Sequence, residues 1–143
     1  MDGLVIQQHA SLDQALALLG RTRAEAESRG LALAVAVVDA GAHLVAGQRM
    51  DGAALGAMRL AHGKAYTAVL WATKSGDFMA TTQPGGEDWG FNVTDERIVV
   101  YAGGVPLLAD GRLVGALGAS GGTAAEDEAC VTAAALSLGF AVE

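Results

Sequence analysis

The chain has 143 residues, enough for one domain with one hydrophobic core. Hydrophobic residues make up 52% of it, and the formal net charge is −7. This charge and the lack of a Lys/Arg cluster exclude a typical nucleic-acid-binding protein. The single cysteine, Cys130, excludes an internal disulfide framework and a multi-cysteine zinc site.

The hydropathy pattern does not predict a membrane protein. No apolar stretch approaches the roughly 20 residues that a membrane-spanning helix needs. The first residues show no basic region followed by an apolar run, so no signal peptide is predicted. A lone cysteine fits a reducing compartment. The sequence therefore predicts a cytoplasmic protein with neither a membrane nor a nucleic acid as partner.

The first predicted element is a helix over residues 11–28, in which apolar side chains recur at three- and four-residue spacing. Ser11 is predicted to cap this helix, with Gln14 as its partner in a capping box. Gly30 is predicted to end it, because glycine accepts the left-handed conformation just after a helix.

A β-hairpin is predicted next. The apolar run of residues 31–40 reads as one strand and residues 44–50 as the returning strand. Gly41 suits the turn between them, since glycine tolerates a positive φ. Asp39 is predicted to accept hydrogen bonds from the turn amides.

The middle of the chain predicts a helix over residues 53–71 and a second short helix over 74–80. Residues 81–97, "TTQPGGEDWGFNVTDER", then form a long loop. Loops of this length inside a small domain are usually functional or disordered. Trp89 and Phe91 favour an ordered loop.

Three further strands are predicted at residues 98–103, 105–109 and 112–120, with Asp110 and Gly111 as the turn before the last one. A final helix is predicted over 123–138. The order is α-β-β-α-(α)-β-β-β-α. It predicts a single α+β domain over residues 1–143, with its core at about 11–138 and an antiparallel five-stranded sheet flanked by helices.

The stretch "SGGTAAEDE" joins the last strand to the last helix and has two interpretations. Thr123 and Glu126 stand at capping-box spacing, and acids in a first helical turn interact favourably with the helix dipole. A phosphate-binding loop is disfavoured, since the motif lacks the P-loop lysine and its acids repel anions. The other interpretation is that Asp127 and the amides of Gly121 and Gly122 line a ligand pocket.

An ordered series of motifs carries a family resemblance. "VVDAGAHLVA", "RMDGA", "KAYTA", "GGVPL" and "GASGGTAAEDE" resemble the GlcG/HbpS family, which includes the C-terminal domain of PduO-type proteins. The similarity covers about residues 11–138. It implies a profilin-like fold, assembly into dimers or octamers, and haem binding or haem handling, with accessory roles in catabolism.

Three polar side chains stand together in "AHGKAYTA". His62 and Tyr66 are four residues apart and share a helix face, with Lys64 on the far side. His62 suits proton transfer or iron ligation, and all three are candidate catalytic residues. Lys64 reaches either solvent or a buried acid, and the resemblance adds a role in anchoring an anionic ligand.

Other candidates lie along the rest of the chain. The resemblance implies His9, before the first helix, as a possible axial haem ligand. Arg49 matches the family and can pair with a carboxylate. Glu87, Trp89 and Asn92 lie in the long loop, which is a candidate pocket wall. Cys130 is predicted to pack in the core.

Three functions follow as hypotheses. The first is an oligomeric protein that binds haem or a small ligand for an accessory, sensing or haem-handling role. The second is a cofactor-independent isomerase, lyase or hydrolase, in which Arg49, His62, Lys64, Tyr66, Glu87 and Asn92 would converge in one pocket. The third is an assembly module without chemistry of its own.

Overall fold

A four-stranded antiparallel sheet separates one helix from two others. The computed structural model describes residues 2–143. The helices and strands are, in chain order, α1 (Leu12–Ser28), β1 (Ala34–Asp39), β2 (Leu44–Arg49), α2 (Ala57–Trp71), β3 (Gly104–Ala109), β4 (Arg112–Ser120) and α3 (Ala124–Ser137). The sheet order is β2-β1-β4-β3. No helix within residues 2–143 has the length and hydropathy to cross a membrane.

Strand β1 lies inside the sheet and is buried on both faces, which explains its continuous apolar sequence. Val35 and Val37 pack into the core beneath α1 and α3. Ala34 and Ala36 face the other way, against α2. Burial of each valine stabilises the fold by about 1.5–3 kcal/mol, whereas the alanines mainly permit close approach of α2.

The local signals for α1 and the two hairpins are confirmed, except that Ala42, with a φ of +69°, and not Gly41 takes the positive φ of the first turn. Ser11 and Gln14 form the predicted capping box, and Gly30 follows the helix with a φ of +68°. Asp39 accepts hydrogen bonds from the amides of residues 41 and 43 in the first hairpin. Asp110 and Gly111 both have positive φ in the second hairpin, the backbone of a type I′ turn.

The predicted five-stranded sheet is wrong, because residues 98–103 form no strand. This segment packs beside α2 and gives its polar backbone groups to side chains. The amide of Val99 donates to Thr67 Oγ1 at 2.9 Å, and the carbonyl of Tyr101 accepts from Ser75 Oγ at 2.7 Å. The apolar run "IVVY" therefore reflects packing against a helix rather than pairing in the sheet.

Two other boundaries also differ from the sequence-based expectation. The predicted helix over 53–71 begins only at Ala57, after turns through Gly52 and Gly56. The predicted helix over 74–80 is a single 3-10 turn, Ser75–Phe78. Both departures occur where glycine lowers the helix propensity.

Candidate functional site

Helix α2 lies unusually close to the sheet because small residues line the contact. A Cβ atom added to Gly118 of β4 would lie 2.2 Å from the carbonyl oxygen of Ala61 and 2.7 Å from the amide of Ala65. A Cβ on Gly63, on another side of the helix, would lie 2.4 Å from Val99 Cγ2. Glycine at both positions lets α2 contact the sheet and residues 97–99 at the same time.

Lys64 makes a buried ion pair. Its side chain and that of Asp127 in α3 are each about 2% exposed. Lys64 Nζ lies 2.9 Å from Asp127 Oδ2 and donates to the carbonyl of Ala119 at 3.0 Å. The sequence predicted that Lys64 reaches either solvent or a buried acid, and in the structure it reaches the buried acid. The ammonium joins α2 to the start of α3 and stays away from the solvent.

Asp127 also orders the glycine-rich corner. Its Oδ1 accepts a hydrogen bond from the amide of Gly122 at 2.9 Å, so that amide already has a partner. Gly121 has a φ of +141°, and a Cβ there would lie 2.5 Å from the carbonyl of residue 32. Thr123 and Glu126 form the predicted capping box. These contacts support the strand-to-helix-corner interpretation of "SGGTAAEDE".

A cavity of about 310 Å³, here called the α2 cavity, lies between α2 and the end of the long loop. Its walls combine apolar, basic and hydrogen-bonding groups. They come from Arg59, Leu60, His62, Gly63, Tyr66, Glu96, Arg97 and Val99. The volume is at the lower end of the range for small-molecule sites. Two of the sequence-predicted candidates, His62 and Tyr66, thus meet in one cavity.

Tyr66 and Arg97 of the cavity wall form a hydrogen-bonded triangle with Asp95. Tyr66 Oη donates a short hydrogen bond to Asp95 Oδ2. Arg97 donates through Nε and Nη2 to the two oxygens of Asp95, each at 3.0 Å. The Arg97 guanidinium also lies over the Tyr66 ring, 4.3 Å from its centroid. This triangle fixes the loop end onto α2.

The same contacts shift two pKa values in opposite directions. Hydrogen bonds from Arg97 and then Tyr66 hold the pKa of Asp95 well below its usual range. Burial, followed by the hydrogen bond to Asp95, raises the pKa of Tyr66. At neutral pH the triangle therefore contains an ionised carboxylate and a protonated phenol.

We expect Asp95→Asn to lower thermal stability at pH 7 and to have a smaller effect in acid. The folded-state pKa of Asp95 is depressed, so its contribution is present above the unfolded value of about 3.9 and is lost as the pH falls through the folded value. Melting temperatures of both proteins between pH 7 and 2.5 measure this. Glu87→Gln, at an exposed carboxylate in the same loop, is the control. If the difference in melting temperature between wild type and Asp95→Asn is the same at pH 2.5 as at pH 7, the prediction is contradicted.

The other two histidines lie away from the α2 cavity. His9 is exposed, and its Nδ1 accepts from the amide of Ala40 at 3.2 Å. A neutral ring that accepts at Nδ1 carries its proton on Nε2, so Nε2 could bind iron only after this hydrogen bond is lost. His43 lies in the first hairpin turn, 3.4 Å from Asp39 Oδ1. Within residues 2–143, no cluster of His, Cys, Asp and Glu could hold a metal ion.

The remaining predicted site residues are dispersed. Arg49 lines a separate polar depression beside α1. Glu87, Trp89 and Asn92 are exposed in the long loop, with Trp89 at 65%, and none of them lines the α2 cavity. The convergence of six polar residues that the enzyme hypothesis requires is therefore not present.

Three residues at this site, Arg59, Asp95 and Arg97, were not predicted from the sequence. Asp95 and Arg97 close the long loop as "TDER", where they resemble ordinary solvated charges. Trp71, Phe78 and Phe91 form an aromatic cluster that was also not predicted, with ring centroids 4.9–6.4 Å apart. This cluster orders the long loop through Phe91 rather than through Trp89.

Comparison with known proteins identifies the family. Protein GlcG of Escherichia coli is 34% identical over 110 residues, 77% of this chain and 80% of the relative. An uncharacterised 15.0 kDa protein of Citrobacter freundii is 37% identical over 92 residues, 64% of this chain and 65% of the relative. The corrinoid adenosyltransferase PduO of Citrobacter freundii is 33% identical over 103 residues, 71% of this chain but only 31% of the relative.

Solved structures agree with this result. A PduOC–haem complex superimposes with a TM-score of 0.90 at 28% identity, covering 94% of this chain and 99% of the other. A variant of HbpS from Streptomyces reticuli gives 0.89 at 27% identity, covering 97% and 93%. The family model described as "Haem degrading protein HbpS-like" matches residues 11–136. The chain therefore belongs to the HbpS-like family, as the motif series predicts.

Proposed function

We propose that this protein binds haem, or a small ligand, in the α2 cavity and serves an accessory, sensing or haem-handling role. The observation that supports this most is His62, a partly exposed imidazole on the wall of a largely apolar cavity. Imidazole is a common axial ligand of haem iron. The haem complex of PduOC, a structural relative, is consistent with the same ligand.

The residues around His62 fit a haem group. Leu60, Val99 and the ring of Tyr66 offer apolar surface, and the guanidinium groups of Arg59 and Arg97 can pair with carboxylates. When bound, haem would supply an iron centre for redox or oxygen chemistry. The protein's own groups would hold the ring and limit water at its buried edge.

The size of the α2 cavity favours a second copy of the chain as a partner, because one chain would cover only part of a haem group. At about 310 Å³ it encloses a small ligand, whereas a macrocycle would project beyond its rim. Leu60 of the cavity wall is 38% exposed, and Leu55, in the turn before α2, is an apolar side chain that is 83% exposed. We propose that a dimer, or a larger assembly such as an octamer, covers the projecting part. The enzyme alternative has less support, since only His62 and Tyr66 of its six residues share a cavity.

Titration with hemin tests the proposal. We expect the wild type to give a Soret shift and His62→Ala to lose or strongly alter it, because the substitution removes the iron ligand. His43→Ala is the matched control and is expected to bind like the wild type. His9→Ala tests the ligand that the family resemblance suggests. Retention of the wild-type spectrum in His62→Ala would contradict the role of His62, and no shift in the wild type would contradict haem binding.

A further inference from the structure

Arg97 uses only part of its hydrogen-bonding capacity inside the protein. A guanidinium carries five N–H donors, which can pair with carboxylates along more than one edge. Asp95 takes the edge formed by Nε and Nη2. Within residues 2–143, Nη1 has no hydrogen-bond acceptor, and Arg97 lines the α2 cavity. A second edge of the same group is thus available to a ligand.

Asp95 and Tyr66 hold this group in one orientation. The two hydrogen bonds that Arg97 donates to Asp95 fix the guanidinium plane, and the Tyr66 ring supports its face at 4.3 Å. Tyr66 in turn donates to Asp95, which closes the triangle. An arginine held in this way loses less conformational entropy when it binds a ligand than a free surface arginine does.

The charge balance of the cavity favours an anionic group. Arg59 and Arg97 both line it, and Glu96 is the only acid that does. Asp95 does not line the cavity and is already paired with Arg97. A planar carboxylate matches the paired donors of a guanidinium better than a single point charge does.

We propose that Arg97 anchors a carboxylate of the ligand in the α2 cavity, with Asp95 and Tyr66 as its positioning residues. The inference rests on the proposed use of this cavity as the ligand site and assigns the ligand its chemical class. The carboxylate belongs either to a haem propionate or to a small carboxylic acid with an apolar body.

The first test compares hemin with hemin dimethyl ester, in which the propionates are neutral. The wild type is expected to bind hemin at least about tenfold more tightly than the ester, since a hydrogen bond to a charged group is lost. Arg97→Gln is expected to bring the two affinities to within about twofold. Arg21→Gln, an exposed arginine of α1 with the same change in charge, should retain the wild-type preference.

A second variant separates positioning from charge. Asp95→Asn keeps Arg97 but removes its ionised partner, so the preference for hemin over the ester should fall several-fold with Arg97 intact. A purely structural role of Asp95 would weaken both ligands equally and leave their ratio unchanged. Equal affinities of wild type for hemin and ester would overturn the propionate assignment, while the Soret shift would still support haem binding.

The third test uses a small acid and its neutral analogue. Benzoate is expected to raise the melting temperature of wild type more than benzamide does if the ligand is a small carboxylic acid, and Arg97→Gln should remove this difference. This result without a Soret shift from hemin would support the inference and contradict the proposed haem function. Equal responses to both compounds, together with equal affinities for hemin and its ester, would overturn the inference.

Discussion

Lys64→Met is expected to destabilise the fold by about 3–5 kcal/mol, because it leaves the Asp127 carboxylate buried without its partner. The Ala119 carbonyl loses its hydrogen bond from Nζ as well. Urea denaturation at a fixed protein concentration measures the free energy of unfolding. The loss should exceed that from any exposed ion pair, such as Arg23–Glu27, which contributes at most about 1 kcal/mol.

The double variant Lys64→Met with Asp127→Asn is the matched control. Asparagine keeps an oxygen that can accept from the amide of Gly122 but carries no charge to bury. We expect it to recover much of the stability lost in Lys64→Met, since replacement of a buried pair by neutral groups is often tolerated. If Lys64→Met alone is as stable as the wild type, the ion pair does not hold α2 to α3.

Gly118→Ala is expected to have the second large effect, a loss of more than about 2 kcal/mol. The new methyl group would lie 2.2 Å from the carbonyl of Ala61, so α2 would have to move off the sheet. Overpacking against backbone is costly because no side chain can rotate away. The same denaturation experiment measures the loss, and the α2 cavity should change with it, seen as weaker hemin binding.

Gly20→Ala is the matched control for that substitution. Gly20 lies inside α1, and nothing lies within 4 Å of the added Cβ. Alanine at this position should stabilise the protein by about 0.5–1 kcal/mol, since it has the higher helix propensity. If both variants lose stability equally, the close approach at Gly118 is not the cause.

Local signals predicted most of the fold. Both capping boxes and both hairpin turns depend on residues within four positions of one another, and the structure confirms them. The strand prediction for residues 98–103 was wrong because an apolar run looks the same in the sequence whether it packs on a helix or pairs in a sheet. Tertiary contacts distinguish the two, such as the hydrogen bond that the Val99 amide donates to Thr67 Oγ1.

The candidate site was predictable only where its residues are neighbours on one helix. His62 and Tyr66 are four residues apart, so their shared face follows from helix geometry. Asp95 and Arg97 reach Tyr66 across 29 and 31 positions of chain, and Asp127 reaches Lys64 across 63. No local pattern encodes such pairings, which depend on how α2, α3 and the long loop pack together.

The burial of the Lys64–Asp127 pair determines how the stability of the fold should depend on salt concentration. Mobile ions screen exposed charges over about 8 Å at physiological salt, but they have little access to side chains that are 2% exposed. Molar salt should therefore remove the contributions of exposed pairs and reduce the self-repulsion of a chain with a net charge of −7, while leaving this contact nearly intact. Salt thus separates the charges that hold the helices together from those that face the solvent.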